Sequence, residues 1–143
     1  MIFFKSNFLW HFSGCLPQSL LGLMVYLGIR WLDPQALRED YLPLAIVLES
    51  RRVWGGLSLG RYVFIHNQSE SPAEREQLIR HELGHARQSM RLGPLYLLVI
   101  GLPSLLWAGL HATGLFPGLA YGWFYTEQSA NRLGNQMDLD RLG

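Results

Sequence analysis

The chain has 143 residues, a length that fits one domain with one modest core. A formal charge of +1 with no block of Lys or Arg gives no reason to invoke nucleic acid, and a lone cysteine, Cys15, excludes an intrachain disulfide and any cysteine-based zinc site. With 49% hydrophobic but only 16% charged residues, the composition points towards a lipid membrane as a partner.

Residues 6–29 form the first apolar segment. Asn7 to Gly28 carries no charged side chain and is flanked by Lys5 and Arg30. Its length approaches that of a bilayer span, although His11, Pro17 and Gln18 interrupt it, so a span and a buried core helix are both open readings. No small-x-small cleavage site follows, which argues against a secretory signal. Phe12-Ser13-Gly14-Cys15 has the outline of a lipoprotein cleavage box, but the apolar region before it is short.

Asp33-Pro34 has the form of a helix start, which predicts a short helix running to Asp40. Leu44 to Leu48 is apolar and fits strand or helix alike. In residues 53–66, Gly55-Gly56 and Gly60 mark turns around the β-rich run Tyr62-Val63-Phe64-Ile65, which predicts a small hairpin or edge strand. A strand in that position can border a cleft and pair with an extended substrate.

Residues 71–91 are expected to form one helix. Ser71 caps it, Pro72 suits its first position, Glu74 completes a capping box, and Gly93-Pro94 ends it. Within it lies His81-Glu82-Leu83-Gly84-His85. The two histidines are one turn apart on one face, so both imidazoles can grip a single ion. Ile79, Leu83, Ala86 and Met90 fall roughly opposite and should face the protein interior. Arg80, Arg87 and Arg91 make a third face, solvated or directed at lipid headgroups. Two imidazoles suit zinc, and Glu82 is placed to act as general base.

From Leu92 to Thr126 there is no Asp, Glu, Lys or Arg. Leu95 to Leu102 is too short to span alone, and Pro103 should kink or end it. The segment reads as a kinked span, a re-entrant pair or an interfacial hairpin, with a buried hairpin over the zinc helix as the alternative.

A catalytic zinc site takes three protein ligands and leaves a position open. The metzincin continuation fails, because Gln88 stands where glycine is needed and Arg91 where the third histidine is needed. A downstream carboxylate must serve, and Glu127, Asp138 and Asp140 are the candidates. Glu127 opens a polar, helix-compatible run over residues 126–134, with Asn131 one turn on, where it can hold the far N–H of a ligating histidine. Asp138 and Asp140 lie near the end of the sequence, where fraying is common.

His81-Glu82-Leu83-Gly84-His85 together with Glu127-Gln128-Ser129-Ala130-Asn131 resembles the gluzincin metallopeptidases. The likeness is greatest to the membrane-linked branch that includes the heat-shock and CAAX-processing zinc endopeptidases. In that branch a second helix carries E-x-x-A-D, whose Glu ligates zinc and whose Asp orients a His. The resemblance implies zinc at His81, His85 and Glu127, with Glu82 as general base. Asn131 replaces the usual Asp, and Arg87 stands where an apolar residue is usual. The matched positions cover the motif helix and the stretch near Glu127, not the N-terminal half, and the chain is short for the family.

The expected architecture is mainly α (α+β): a zinc helix packed with a C-terminal ligand helix and with apolar, membrane-contacting helices, plus a small hairpin, in one minimal domain. The expected activity is zinc-dependent hydrolysis of a peptide or protein substrate by a membrane-associated, or otherwise cytoplasmic, enzyme. Tyr121, Tyr125, His111 and His66 are candidate oxyanion donors. One competing reading is a membrane-associated structural or binding protein with a non-catalytic zinc site, which a fourth ligand from His66, His111 or Asp138 would mark. Another is a non-enzymatic binding module that uses the arginine face.

Overall fold

Two parallel strands with apolar side chains on both faces demand cover on both sides, and the rest of the chain supplies it. The structure, a computed structural model, describes residues 15–41, 44–68 and 71–139. Strands β2 (Ala45–Ser50) and β4 (Tyr62–His66) pair in parallel at the centre of the sheet. Strand β1 (Leu37–Tyr41) joins β2 antiparallel, and β3 (Gly56–Leu59) joins β4 antiparallel, giving the order β1-β2-β4-β3. Gly60, with φ of +62°, begins the tight β3–β4 turn, a conformation that costs glycine little.

Alternation along the strands sorts the core into two layers. Ala45, Val47, Val63 and Ile65 pack against helix α2 (Pro72–Leu92) through Ile79, Leu83 and Ala86, with Met90 at the margin. Leu48 and Phe64 pack on the other side with Val25, Tyr26 and Ile29 of helix α1 (Leu16–Leu32). The fold is therefore α+β, mainly helical with a small sheet, and the hairpin expected over residues 53–66 is present as β3–β4.

The helix predicted over residues 33–40 does not form. Asp33 instead ends α1, and its carboxylate accepts a hydrogen bond from Ser50 at 2.6 Å. The run Leu37-Arg38-Glu39-Asp40-Tyr41 is drawn into the sheet because β2 needs a partner on its free edge. Pairing there overrides a weak local preference, and the charges, including the Arg38–Asp40 bridge at 2.7 Å, suit an edge strand.

The uncharged segment after α2 is broken into pieces. A 3₁₀ turn (Gly93–Leu95) and a π-helical turn (Leu97–Gly101) precede helix α3 (Leu102–Ala112), where Pro103 takes an early position with no N–H to lose. Trp107 then folds the following loop back: its ring stacks on Phe116 and Phe124, and its N–H donates to the Tyr121 carbonyl at 2.8 Å. That loop delivers the chain into helix α4 (Tyr125–Asn135).

Helices α2 and α4 meet at glycines. A Cβ on Gly84 would lie 2.0 Å from the carbonyl oxygen of Ala130, and one on Gly134 the same distance from that of Arg80. Only residues without a side chain allow the two backbones so near, and this contact sets where α4 lies relative to the histidines.

Among the described residues no single helix is long and apolar enough to cross a membrane; α2 extended to Leu95 and Leu97–Ala112 reach that composition only as a pair bent by 119°. Lys5, His11, the Phe12–Gly14 part of the cleavage-box outline and Asp140 lie outside the described residues.

Candidate metal centre

The local sequence explains how each ligand is held. Ser71 accepts the Glu74 N–H at 3.2 Å, Pro72 opens α2, and the helix runs unbroken through His81 and His85. Glu127 lies in the first turn of α4, almost fully buried, and the glycine contacts bring that turn over α2. Glu127 Oε2 thus stands 3.1 Å from His81 Nε2 and 3.5 Å from His85 Nε2. The three ligand atoms all lie within 4.8 Å of one another.

Everything around these atoms turns their lone pairs inward. His81 Nδ1 lies 2.8 Å from the side-chain oxygen of Asn131, and His85 Nδ1 lies 2.8 Å from that of Gln88. The Gln88 amide nitrogen donates to the Thr126 carbonyl at 3.1 Å and to the Ser129 hydroxyl, which fixes its oxygen towards His85. Each ring therefore donates from Nδ1 and turns Nε2 towards Glu127. Glu127 Oε1 accepts from the hydroxyls of Ser104 and Thr126, while its buried Oε2 receives no hydrogen bond.

Two ring nitrogens and a carboxylate oxygen converging in a buried place could hold a cation between them. The residues fit a divalent metal ion with two imidazoles and one carboxylate as donors. In the metal-free chain a proton is the substitute. Burial opposes charge on His81, but the carboxylate of Glu127, the charge of Glu82 and the Asn131 contact outweigh it and lift the ring to about 9. Glu127 is correspondingly held well below the usual carboxylate range, burial being overcome by His81, His85 and Ser104.

No family model, curated protein or solved structure matches this chain.

Glu82 is buried beside the ligands, and burial raises its pKa against the pull of His85 and His81. It packs on the backbone of β3: a Cβ on Gly56 would sit 2.1 Å from Glu82 Oε1. The site opens into a cleft of about 920 Å³ whose walls are α2, β3, α3 and the loop before α4. The free edge of β3 borders it, and the buried Ser58 hydroxyl there has no hydrogen-bond partner.

Of the aromatic and histidine candidates, Tyr121 alone lines the cleft; burial and the charge of Glu127 push it up to about 12. Tyr125 and His111 do not line it. The Tyr125 hydroxyl is committed to the Val99 carbonyl at 2.6 Å, and His111 Nε2 faces the Leu119 carbonyl at 3.1 Å. His66 sits at the end of β4, where Nδ1 accepts the Gln68 N–H. Among the described residues no fourth side chain joins the ligand group, and Asp138 is exposed elsewhere. Of the arginine face, Arg80 is tied to Glu76 and to the Met137 carbonyl, Arg87 is half-buried, and Arg91 is exposed.

Sequence reasoning missed four participants. Gln88 was visible only as a break in the metzincin pattern, yet it sits at i+3 from His85, within reach of its ring. Ser104 is a small hydroxyl alone in an apolar run, a detectable signal. Gly56 and Tyr96, a buried tyrosine on the cleft wall, depend on long-range packing and leave no local trace.

Proposed function

We propose that the chain is a zinc-dependent peptidase. The observation that carries this reading is the three-donor group His81, His85 and Glu127 with a second buried carboxylate, Glu82, beside it and a cleft over it. A purely structural site closes its coordination with a fourth ligand and has no use for a buried acid that ligates nothing. The likeness to the gluzincin pattern supports the same assignment.

His81, His85 and Glu127 would hold the ion, and Asn131 and Gln88 keep both rings in the ligating tautomer. Zinc there would supply Lewis acidity, lowering the pKa of water to about 7 and polarising a scissile carbonyl. Glu82 takes the proton from the attacking water and returns it to the leaving amine; its raised pKa suits a group that must both accept and donate. The Tyr121 hydroxyl, which lines the cleft and stays protonated in the neutral range, is our choice of donor for the developing oxyanion, with Tyr96, which also lines the cleft, second. An extended substrate pairs with the backbone N–H and C=O groups on the free edge of β3.

The test is a paired measurement on wild type and Glu82→Gln. Both are expected to contain one zinc per chain by elemental analysis, and only the wild type should cleave a fluorogenic peptide library. A Glu82→Gln variant with full activity would remove the general base. Zinc in both with cleavage in neither would make the site non-catalytic.

A further inference from the structure

Helices normally turn their apolar stripe to the core and their polar stripe to water. Two helices of this protein break that rule. In α1 the buried positions include Gln18 and Gly22, while Leu20, Met24, Leu27 and Trp31 form a stripe at helical spacing on the outside. Met24 is 70% exposed and Trp31 81%. Leu98, Leu102 and Leu105 continue the pattern along the π turn and α3, with Leu105 at 69%.

The two stripes belong to one region. Gln18 donates to Ser89 and to the Gly93 carbonyl, both at 2.9 Å, which ties α1 to the start of the uncharged segment. Leu21 of α1 and Leu102 and Leu105 of α3 line the same cleft. From α1 and residues 93–125 together, twenty large apolar side chains are exposed, summing to on the order of 2,000 Å², whereas the largest single apolar patch of an ordinary soluble monomer is about 300–600 Å².

We infer that this face docks on a lipid bilayer, lying in the plane of one leaflet, with the cleft opening at the membrane surface. A second copy is the poorer occupant, since a standard dimer covers only about 800 Å² per partner and would leave most of this surface wet. Lipid also explains the borders. Exposed Trp31 and Trp123 lie at the ends of the apolar stretches, where amphipathic rings favour the headgroup level, exposed Trp54 lines the cleft, and Arg30 and Arg91 flank the uncharged runs. Docking is in-plane because α1, with 17 residues, is only about 25 Å long, short of the roughly 30 Å hydrocarbon core, and its inner face is occupied by the sheet. If the cleft hydrolyses peptides, a clause that rests on the reading above, its substrates are segments presented at that surface.

The experiment is flotation of purified full-length Glu82→Gln protein added to preformed phosphatidylcholine vesicles, so that docking is read independently of hydrolysis. The protein should float, at low and high salt alike, with tryptophan emission quenched by lipids brominated near the headgroups. Two independent variants, Met24→Glu/Leu27→Glu and Leu98→Glu/Leu106→Glu, alter side chains outside the cleft; each should retain zinc and lose at least about tenfold in vesicle binding. Three results overturn the proposal: variants that float like their parent, quenching confined to lipids brominated at the chain ends, or a protein that ignores vesicles and self-associates through the same side chains.

Discussion

Gly84 of α2 lies so close to Ala130 of α4 that an added Cβ would meet the Ala130 carbonyl oxygen at 2.0 Å. This one approach decides whether Glu127, three residues before Ala130, can reach the two imidazoles. Gly84→Ala should therefore push α4 away, costing about 1–3 kcal/mol of stability and weakening zinc binding together. Urea unfolding of the metal-free protein and a zinc titration of the same sample check both. A variant with unchanged zinc affinity would show that α4 is placed by other contacts.

Gly56 does for Glu82 what Gly84 does for Glu127. A methyl group there would fall 2.1 Å from Glu82 Oε1, and the carboxylate must swing off its present position. Gly56→Ala is expected to lower kcat by about 10–100-fold while zinc content stays at one per chain, since misplacement of about 1 Å at a reacting group is enough for such a loss. Loss of zinc with activity would point instead to general disruption of the site.

These two glycines also mark the limit of what the chain's order of residues reveals. The motif helix was legible from its ends: Ser71, Pro72 and Gly93 each act locally, and Ile79, Leu83 and Ala86 repeat at helical spacing. Glu127 and Asn131 could be paired with the histidines because both lie one turn apart on a polar helix. The strand β1 was not legible, because Asp33-Pro34 carries a genuine helix-start signal that only pairing with β2 overrides. Gln88 was read as a defect in another pattern, since its function depends on Thr126 and Ser129, some forty residues away, fixing the amide.

Gln88 and Asn131 hold equivalent positions on the two rings, so they yield a matched prediction. Gln88→Met removes the acceptor from His85 Nδ1 and should weaken zinc binding by about 10–100-fold, as losses of such ring partners commonly do. Asn131→Asp keeps an acceptor at 2.8 Å from His81 Nδ1 and adds a charge, so affinity should hold or rise. Competition titration against a zinc-sensitive dye measures both. Equal affinities in the two variants would mean that the rings are oriented by packing alone.

Without metal, the pair His81–Glu127 should leave a signature in pH. His81 is lifted to about 9 in the folded chain, against about 6.5 for an unfolded histidine, so its contribution is complete below about 6.5 and disappears as pH rises through about 9. Glu127 is shifted the opposite way: its contribution is present above its ordinary value of 4.5 and fades as pH falls towards its depressed folded value. Metal-free protein should therefore lose thermal stability between pH 7 and 9, and zinc should abolish that loss by replacing the proton. Zinc binding near pH 7 should release about one proton more than it would from two already neutral rings, measurable as a dependence of the calorimetric heat on buffer ionisation enthalpy. A metal-free melting temperature that stays flat from pH 7 to 9 would mean that His81 is already neutral there, with no proton standing in for the ion.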